Sequence, residues 1–97
     1  MKNVIENKTL TIFLEGELNS SNAEAVEKEI DEILNKGGFE SIRLDLGDLT
    51  YISSAGLRII VRIKQQYDDT SLVRVPDQVN DIFQMVGFQN LLKIERK

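Results

Sequence analysis

Ser41-Ile42-Arg43-Leu44-Asp45-Leu46, followed at Ser53 by Ser53-Ser54-Ala55-Gly56-Leu57-Arg58-Ile59-Ile60-Val61-Arg62-Ile63-Lys64-Gln65, carries the change of hydrophobic period that decides the fold. Ile42, Leu44 and Leu46 alternate with Ser41, Arg43 and Asp45, the period of two expected of a strand with one buried face. Gly47-Asp48 then reads as a turn. From Ser53 onward Ile59, Ile60, Val61 and Ile63 interleave with Arg62, Lys64 and Gln65, which predicts a helix, apolar on more than one side and therefore packed centrally. Arg58 and Arg62, four residues apart, fall on its solvent-facing edge.

Upstream, Leu10, Ile12 and Leu14 alternate with Thr9, Thr11 and Phe13, a second strand that Gly16 interrupts. Val4 and Ile5 precede it across Glu6-Asn7-Lys8, a polar spacer suited to a hairpin with a short edge strand. Between the two strands, Ala23, Val26, Ile30, Ile33 and Leu34 form a stripe at helical spacing. Ser21 and Glu24 make a capping box at the start of that helix, and Gly37-Gly38 ends it. Downstream, Asp68-Asp69-Thr70 is an exit loop and Leu72 to Val75 a third core strand. Pro76 suits the first turn of another helix, where its missing N–H costs nothing. Val79, Ile82, Phe83 and Val86 form the buried stripe of that helix, Gly87 closes it, and Leu91, Leu92 and Ile94 supply a last apolar segment. Strands alternating with helices of this length predict a sheet with parallel pairs and right-handed crossovers, an α/β sandwich.

The 97 residues suffice for one modest core, so residues 1–97 read as a single domain. No cysteine is present, which excludes disulfide frameworks and thiolate chemistry. The lack of histidine removes the usual general base near neutral pH and the commonest transition-metal ligand. No catalytic residue, metal site or cofactor is therefore expected. The net charge of -4 disfavours a broad nucleic-acid or anionic-lipid footprint and favours a protein partner. Arg58, Arg62, Lys64 and Arg74 make at most a weak basic edge without interleaved aromatics. No apolar run reaches membrane-spanning length and no signal-peptide pattern opens the chain, so membrane insertion is not expected and the location reads as cytoplasmic.

Chemistry concentrates at Ser53 and Ser54, where a loop enters a helix and free backbone amides converge. A helix N-terminus stabilises an anion without any basic side chain, whether a bound phosphate or one made on Ser54. Position alone favours a plain helix cap at Ser53 or Ser54, a role compatible with phosphorylation. A serine-hydrolase reading fails because Ile52 stands where the first glycine of G-x-S-x-G belongs and no base is available. Asp45 and Asp48 read as ordinary solvated or turn-making carboxylates rather than magnesium ligands.

Gly16-Glu17-Leu18, Leu44-Asp45-Leu46, Tyr51-Ile52-Ser53-Ser54-Ala55-Gly56-Leu57 and Phe83-Gln84-Met85-Val86-Gly87-Phe88, in that order, resemble the STAS domain family of sulfate-transporter and anti-sigma-factor-antagonist domains. The resemblance implies a mixed β-sheet of four to five strands against three to four α-helices. It also implies an anti-sigma-factor antagonist that works by partner switching. The unphosphorylated form would bind an anti-sigma factor that is also a serine kinase, freeing a sigma factor, and phosphorylation would break the complex. Matching the motif places the acceptor at Ser54, with Ser53 the alternative. Asn19, Ser20, Ser21, Ser53, Gly56, Leu57 and Arg58 become candidate partner contacts. A phosphatase is a further implied partner, and the chain is expected to be a monomer or weak dimer. Ser53 and Asn19 stand where many switch-type members carry Asp, and the span from Gly56 to Phe83, short for the family, predicts a truncated helix or a tight loop near Gln66 to Ser71. The second reading is a non-phosphorylated STAS subunit or scaffold of a transporter ATPase or signalling complex.

Overall fold

The computed structural model describes residues 1–97. Its elements run β1 (Asn3–Glu6), β2 (Thr9–Leu18), α1 (Ala23–Asn35), β3 (Ser41–Ile52), α2 (Ser54–Gln66), β4 (Thr70–Val75), α3 (Asp77–Met85), a short 3₁₀ turn (Phe88–Asn90) and β5 (Lys93–Arg96). The five strands lie in sequence order, with β1 antiparallel to β2 and every later neighbour parallel. The three parallel crossovers step the same way across the sheet, and right-handed connections then place the helices on one face.

Burial follows the pleat. Leu10, Ile12, Leu14, Ile42, Leu44, Leu46 and Leu72 share one face and join Ile30, Leu34, Ile59, Ile60, Ile63, Val79 and Phe83 in a single apolar core. Thr9, Thr11, Phe13, Arg43, Ser71 and Lys93 lie on the other face and are half-buried or exposed. Asn7 and Lys8 both adopt positive φ, 51° and 64°, the backbone of a two-residue hairpin turn that matches strand twist. The predicted tight loop is present: Tyr67 ends α2, β4 begins at Thr70, and the Thr70 hydroxyl donates to the Tyr67 carbonyl at 2.6 Å.

Several local expectations are corrected. Gly47-Asp48 makes no turn, because β3 continues through it to Ile52. The Arg74 guanidinium, the flexible end of a half-exposed side chain from β4, lies across Gly47 in the space a Cβ would take. Asp45 is not solvated, although it makes the side-chain bond to the amide two residues on that is typical of a turn-making aspartate. It is 7% exposed and accepts from Arg74 Nε at 3.1 Å and from the Gly47 amide at 2.9 Å. β2 likewise runs past Gly16, which takes a φ of 71° at a bulge, to Leu18. Pro76 sits one position outside α3, at its N-cap, and Val86 falls at the C-cap, half exposed and outside the buried stripe. Arg62 does not face open solvent: it bridges α2 to α1 through Glu27 at 2.7 Å and Asp31 at 2.6 Å. Burial opposes its charge, but the hydrogen bonds and attraction of those two carboxylates prevail and raise its pKa above the ordinary value. No helix is long and apolar enough to cross a membrane.

Candidate functional site

Ser53 and Ser54 lie at the junction of β3 and α2, and the backbone gives them different jobs. Ser53 is the N-cap, with extended φ and ψ of -93° and 174°, and its Oγ accepts from the Gly56 amide at 3.3 Å. Its own amide donates to the Leu18 carbonyl at 2.8 Å, and its carbonyl accepts from Leu57 N at 2.9 Å. Three bonds thus hold one residue. Ser54 is the first residue of α2 and is exposed, and its hydroxyl makes no hydrogen bond. The amides of Ser54 and Ala55 are among those a helix start leaves without an intrahelical acceptor, so the field around the Ser54 hydroxyl is positive.

Gly56 sets how closely this junction meets the sheet. A Cβ there would stand 2.7 Å from Ile52 Cγ1, 2.8 Å from Leu18 Cγ and 3.0 Å from Leu18 Cδ2. Only a residue without a side chain lets the first turn of α2 settle onto the paired ends of β2 and β3, where Leu18 lies beside Ile52. Leu57 is half-buried behind the turn, and Arg58 projects into solvent without an ionic partner.

The Leu18–Ser53 bond brings the loop after β2 alongside. The expected Ser21 cap does not form, since Asn22 occupies the N-cap of α1 and makes no side-chain bond to the helix amides. Asn22 instead locks the loop. Its Oδ1 accepts from the Asn19 amide at 2.9 Å and its Nδ2 donates to the Glu17 carbonyl at 2.7 Å. In return, Asn19 Oδ1 accepts from the amides of Ser21 at 2.9 Å and Asn22 at 3.1 Å. Asn19 is thereby committed to holding the loop, while Ser20 and Ser21 are exposed. Asn22 escaped the sequence reading although its signal was present: two asparagines three residues apart can exchange side-chain bonds to each other's amides. Tyr51, exposed at 46% at the end of β3, was also missed; it is the most exposed aromatic ring in the chain.

Neither serine lines the hollow of about 500 Å³ bounded by Phe13, Glu15, Glu17, Glu29, Asp45 and Arg74 among others. An exposed hydroxyl outside that hollow suits a macromolecular partner better than an enclosed small substrate.

The STAS domain model matches residues 1–97. A Bordetella bronchiseptica protein named "Putative anti-sigma factor antagonist BtrV" is 35% identical over 89 residues, covering 88% of this chain and 76% of the relative. Among solved structures, a Thermotoga maritima protein described as a putative anti-sigma factor antagonist superposes with a TM-score of 0.87 at 28% identity, covering 99% of this chain and 86% of its own. The anti-sigma factor antagonist SpoIIAA in its unphosphorylated form superposes with a TM-score of 0.76 at 19% identity, covering 96% and 85%, and shares the fold. The Bacillus SpoIIAA in its phosphorylated form superposes at 0.68 with 18% identity, covering 96% and 88%.

Proposed function

This chain belongs to the STAS domain family, and from that membership we propose that it is an anti-sigma-factor antagonist switched by phosphorylation of Ser54. The single observation that carries the reading is the division of labour between the adjacent serines. The Ser53 hydroxyl is engaged in capping α2, whereas the Ser54 hydroxyl is exposed and free at the helix's first position.

A kinase must bring the acceptor oxygen into line with a transferring phosphoryl group, which an exposed, unbonded hydroxyl permits. Phosphorylation there leaves the fold intact, because the new dianion meets the positive end of α2 and its free amides. It changes the surface instead. A charge of about -1.5 to -2 at neutral pH, placed in a contact built around a neutral serine, adds desolvation cost and repels acidic partner groups. The contact surface comprises Ser20, Ser21, Ser54 and Arg58, backed by Asn19, Ser53, Gly56 and Leu57. The partner is an anti-sigma factor with serine kinase activity, and a phosphatase resets the switch. The chain itself supplies no catalytic group.

Incubation with that kinase and ATP, followed by intact-mass measurement and peptide mapping, tests the reading. Wild type gains one phosphate on Ser54, Ser54→Ala gains none, and Ser53→Ala is still phosphorylated. Absence of any mass gain, or a phosphate that persists in Ser54→Ala, overturns it.

A further inference from the structure

We infer that the free edge of β1 is a self-association surface, on which a second copy of this chain adds its own β1 antiparallel to the first across a two-fold axis at Val4.

The two edges of the sheet are treated differently. β5, at one edge, has three charged residues among its four, Lys93, Glu95 and Arg96, and its pairing with β4 is broken by a register shift between Leu72 and Val75. Charges and irregular pairing are what sheets use to prevent strand addition. β1, at the other edge, has the sequence Asn3-Val4-Ile5-Glu6 and pairs with β2 without a shift. It has no proline or bulge, and it exposes Val4 at 38% and Ile5 at 45%.

The backbone selects the register. Asn3 lies opposite Ile12 and Val4 opposite Thr11, and the Phe13 amide donates to the Lys2 carbonyl at 3.0 Å. Antiparallel pairs alternate, so Lys2, Val4 and Glu6 turn their backbone groups toward β2, while Asn3 and Ile5 turn theirs outward. A second β1 must therefore pair through its own Asn3 and Ile5. Three two-fold registers bring these groups together, centred on Asn3, Val4 or Ile5. Centring on Asn3 sets Lys2 opposite Val4, and centring on Ile5 sets Lys2 opposite Lys8. Centring on Val4 sets Asn3 opposite Ile5 in both directions, which forms four backbone hydrogen bonds, and sets Lys2 opposite Glu6 twice. Val4 then meets Val4 of the second copy in the non-hydrogen-bonded pair, where side chains approach most closely. Lys2 is held on the same face as Glu6 by the Phe13 ring, 4.7 Å below its ammonium. Of the three registers, only the one centred on Val4 makes the strand's charges complementary to themselves, and it pairs Val4 with Val4 while Ile5 faces Asn3.

The product is a continuous ten-stranded sheet. β1 enters the sheet at the end where β3 delivers Ser54, so antiparallel addition carries the two Ser54 corners to opposite ends, each still accessible. So short a strand contact predicts a weak dimer, one that forms without competing for the Ser54 surface.

Sedimentation equilibrium of the purified chain from about 10 μM to about 1 mM tests the assignment. A monomer–dimer equilibrium is expected. Ile5→Pro deletes an outward amide that β2 does not use, so the expected result is loss of dimer with an unchanged circular dichroism spectrum. Lys2→Glu and Glu6→Lys each place like charges opposite one another and weaken the dimer by about tenfold, and the double variant restores it. A chain that stays monomeric throughout, or a dimer that survives Ile5→Pro and ignores both reversals, overturns the assignment. In the latter case the contact lies elsewhere, as on the exposed Met85, Val86 and Leu91.

Discussion

Replacing Gly56 by alanine tests whether close approach, rather than helix propensity, fixes the Ser54 corner. Propensity argues for stabilisation, since alanine is favoured over glycine by about 1 kcal/mol in a helix. Packing argues the reverse. The added Cβ would lie 2.7 Å from Ile52 Cγ1 and 2.8 Å from Leu18 Cγ, and both side chains are almost fully buried at the ends of paired strands. Neither can swing into solvent, so either the helix start lifts or the strand ends part. Overpacking of this kind costs about 1–3 kcal/mol. After the propensity gain the net destabilisation is up to about 2 kcal/mol, which for a domain near 100 residues lowers Tm by up to roughly 16 °C. Urea and thermal unfolding followed by circular dichroism measure it. Ser54→Ala, two residues away but exposed and unbonded, serves as control and stays within about 0.5 kcal/mol of wild type. A Gly56→Ala protein more stable than wild type would refute the packing argument and with it the rigid placement of Ser54.

Ser53→Ala removes the cap bond to Gly56 N and is expected to cost about 1 kcal/mol by urea titration, a loss that Ser53→Asp, which can still accept, largely avoids. Arg74 has a φ of 52°, a left-handed conformation uncommon for residues with a side chain, while its guanidinium covers Asp45. Arg74→Gly and Arg74→Ala both lose the ion pair, but only glycine relieves the backbone. The glycine variant is therefore expected to be about 1 kcal/mol the more stable in the same titration.

The sequence made most of the fold legible because local periodicity and core position agree: Leu10-Ile12-Leu14 and Ile42-Leu44-Leu46 are buried on one face as their alternation requires. Where it misled, a distant residue had changed the meaning of a local signal. Gly47-Asp48 has turn composition, yet β3 runs on through it, with the Arg74 guanidinium of the neighbouring strand lying over Gly47. Arg62 repeats Arg58 at helical spacing, but the carboxylates that bind it come from α1, more than thirty residues earlier. At the site, the hydroxyl pair and its helix-start position were readable, whereas the distinction between them was not. That distinction arises from the Ser53 amide bond to Leu18 and the seating of Gly56 on Leu18, contacts no local pattern encodes. The Asn19–Asn22 exchange was legible in principle and was overlooked in favour of the neighbouring Ser21, whose capping-box spacing is the more familiar signal.

The proposed switch rests on one difference in affinity, and calorimetric titration of the anti-sigma factor kinase with the two forms of the chain measures it. The unphosphorylated protein is expected to bind, and the form carrying a single phosphate on Ser54 to bind at least about 100-fold more weakly while keeping an unchanged fold by circular dichroism. Equal affinities for the two forms would contradict the account.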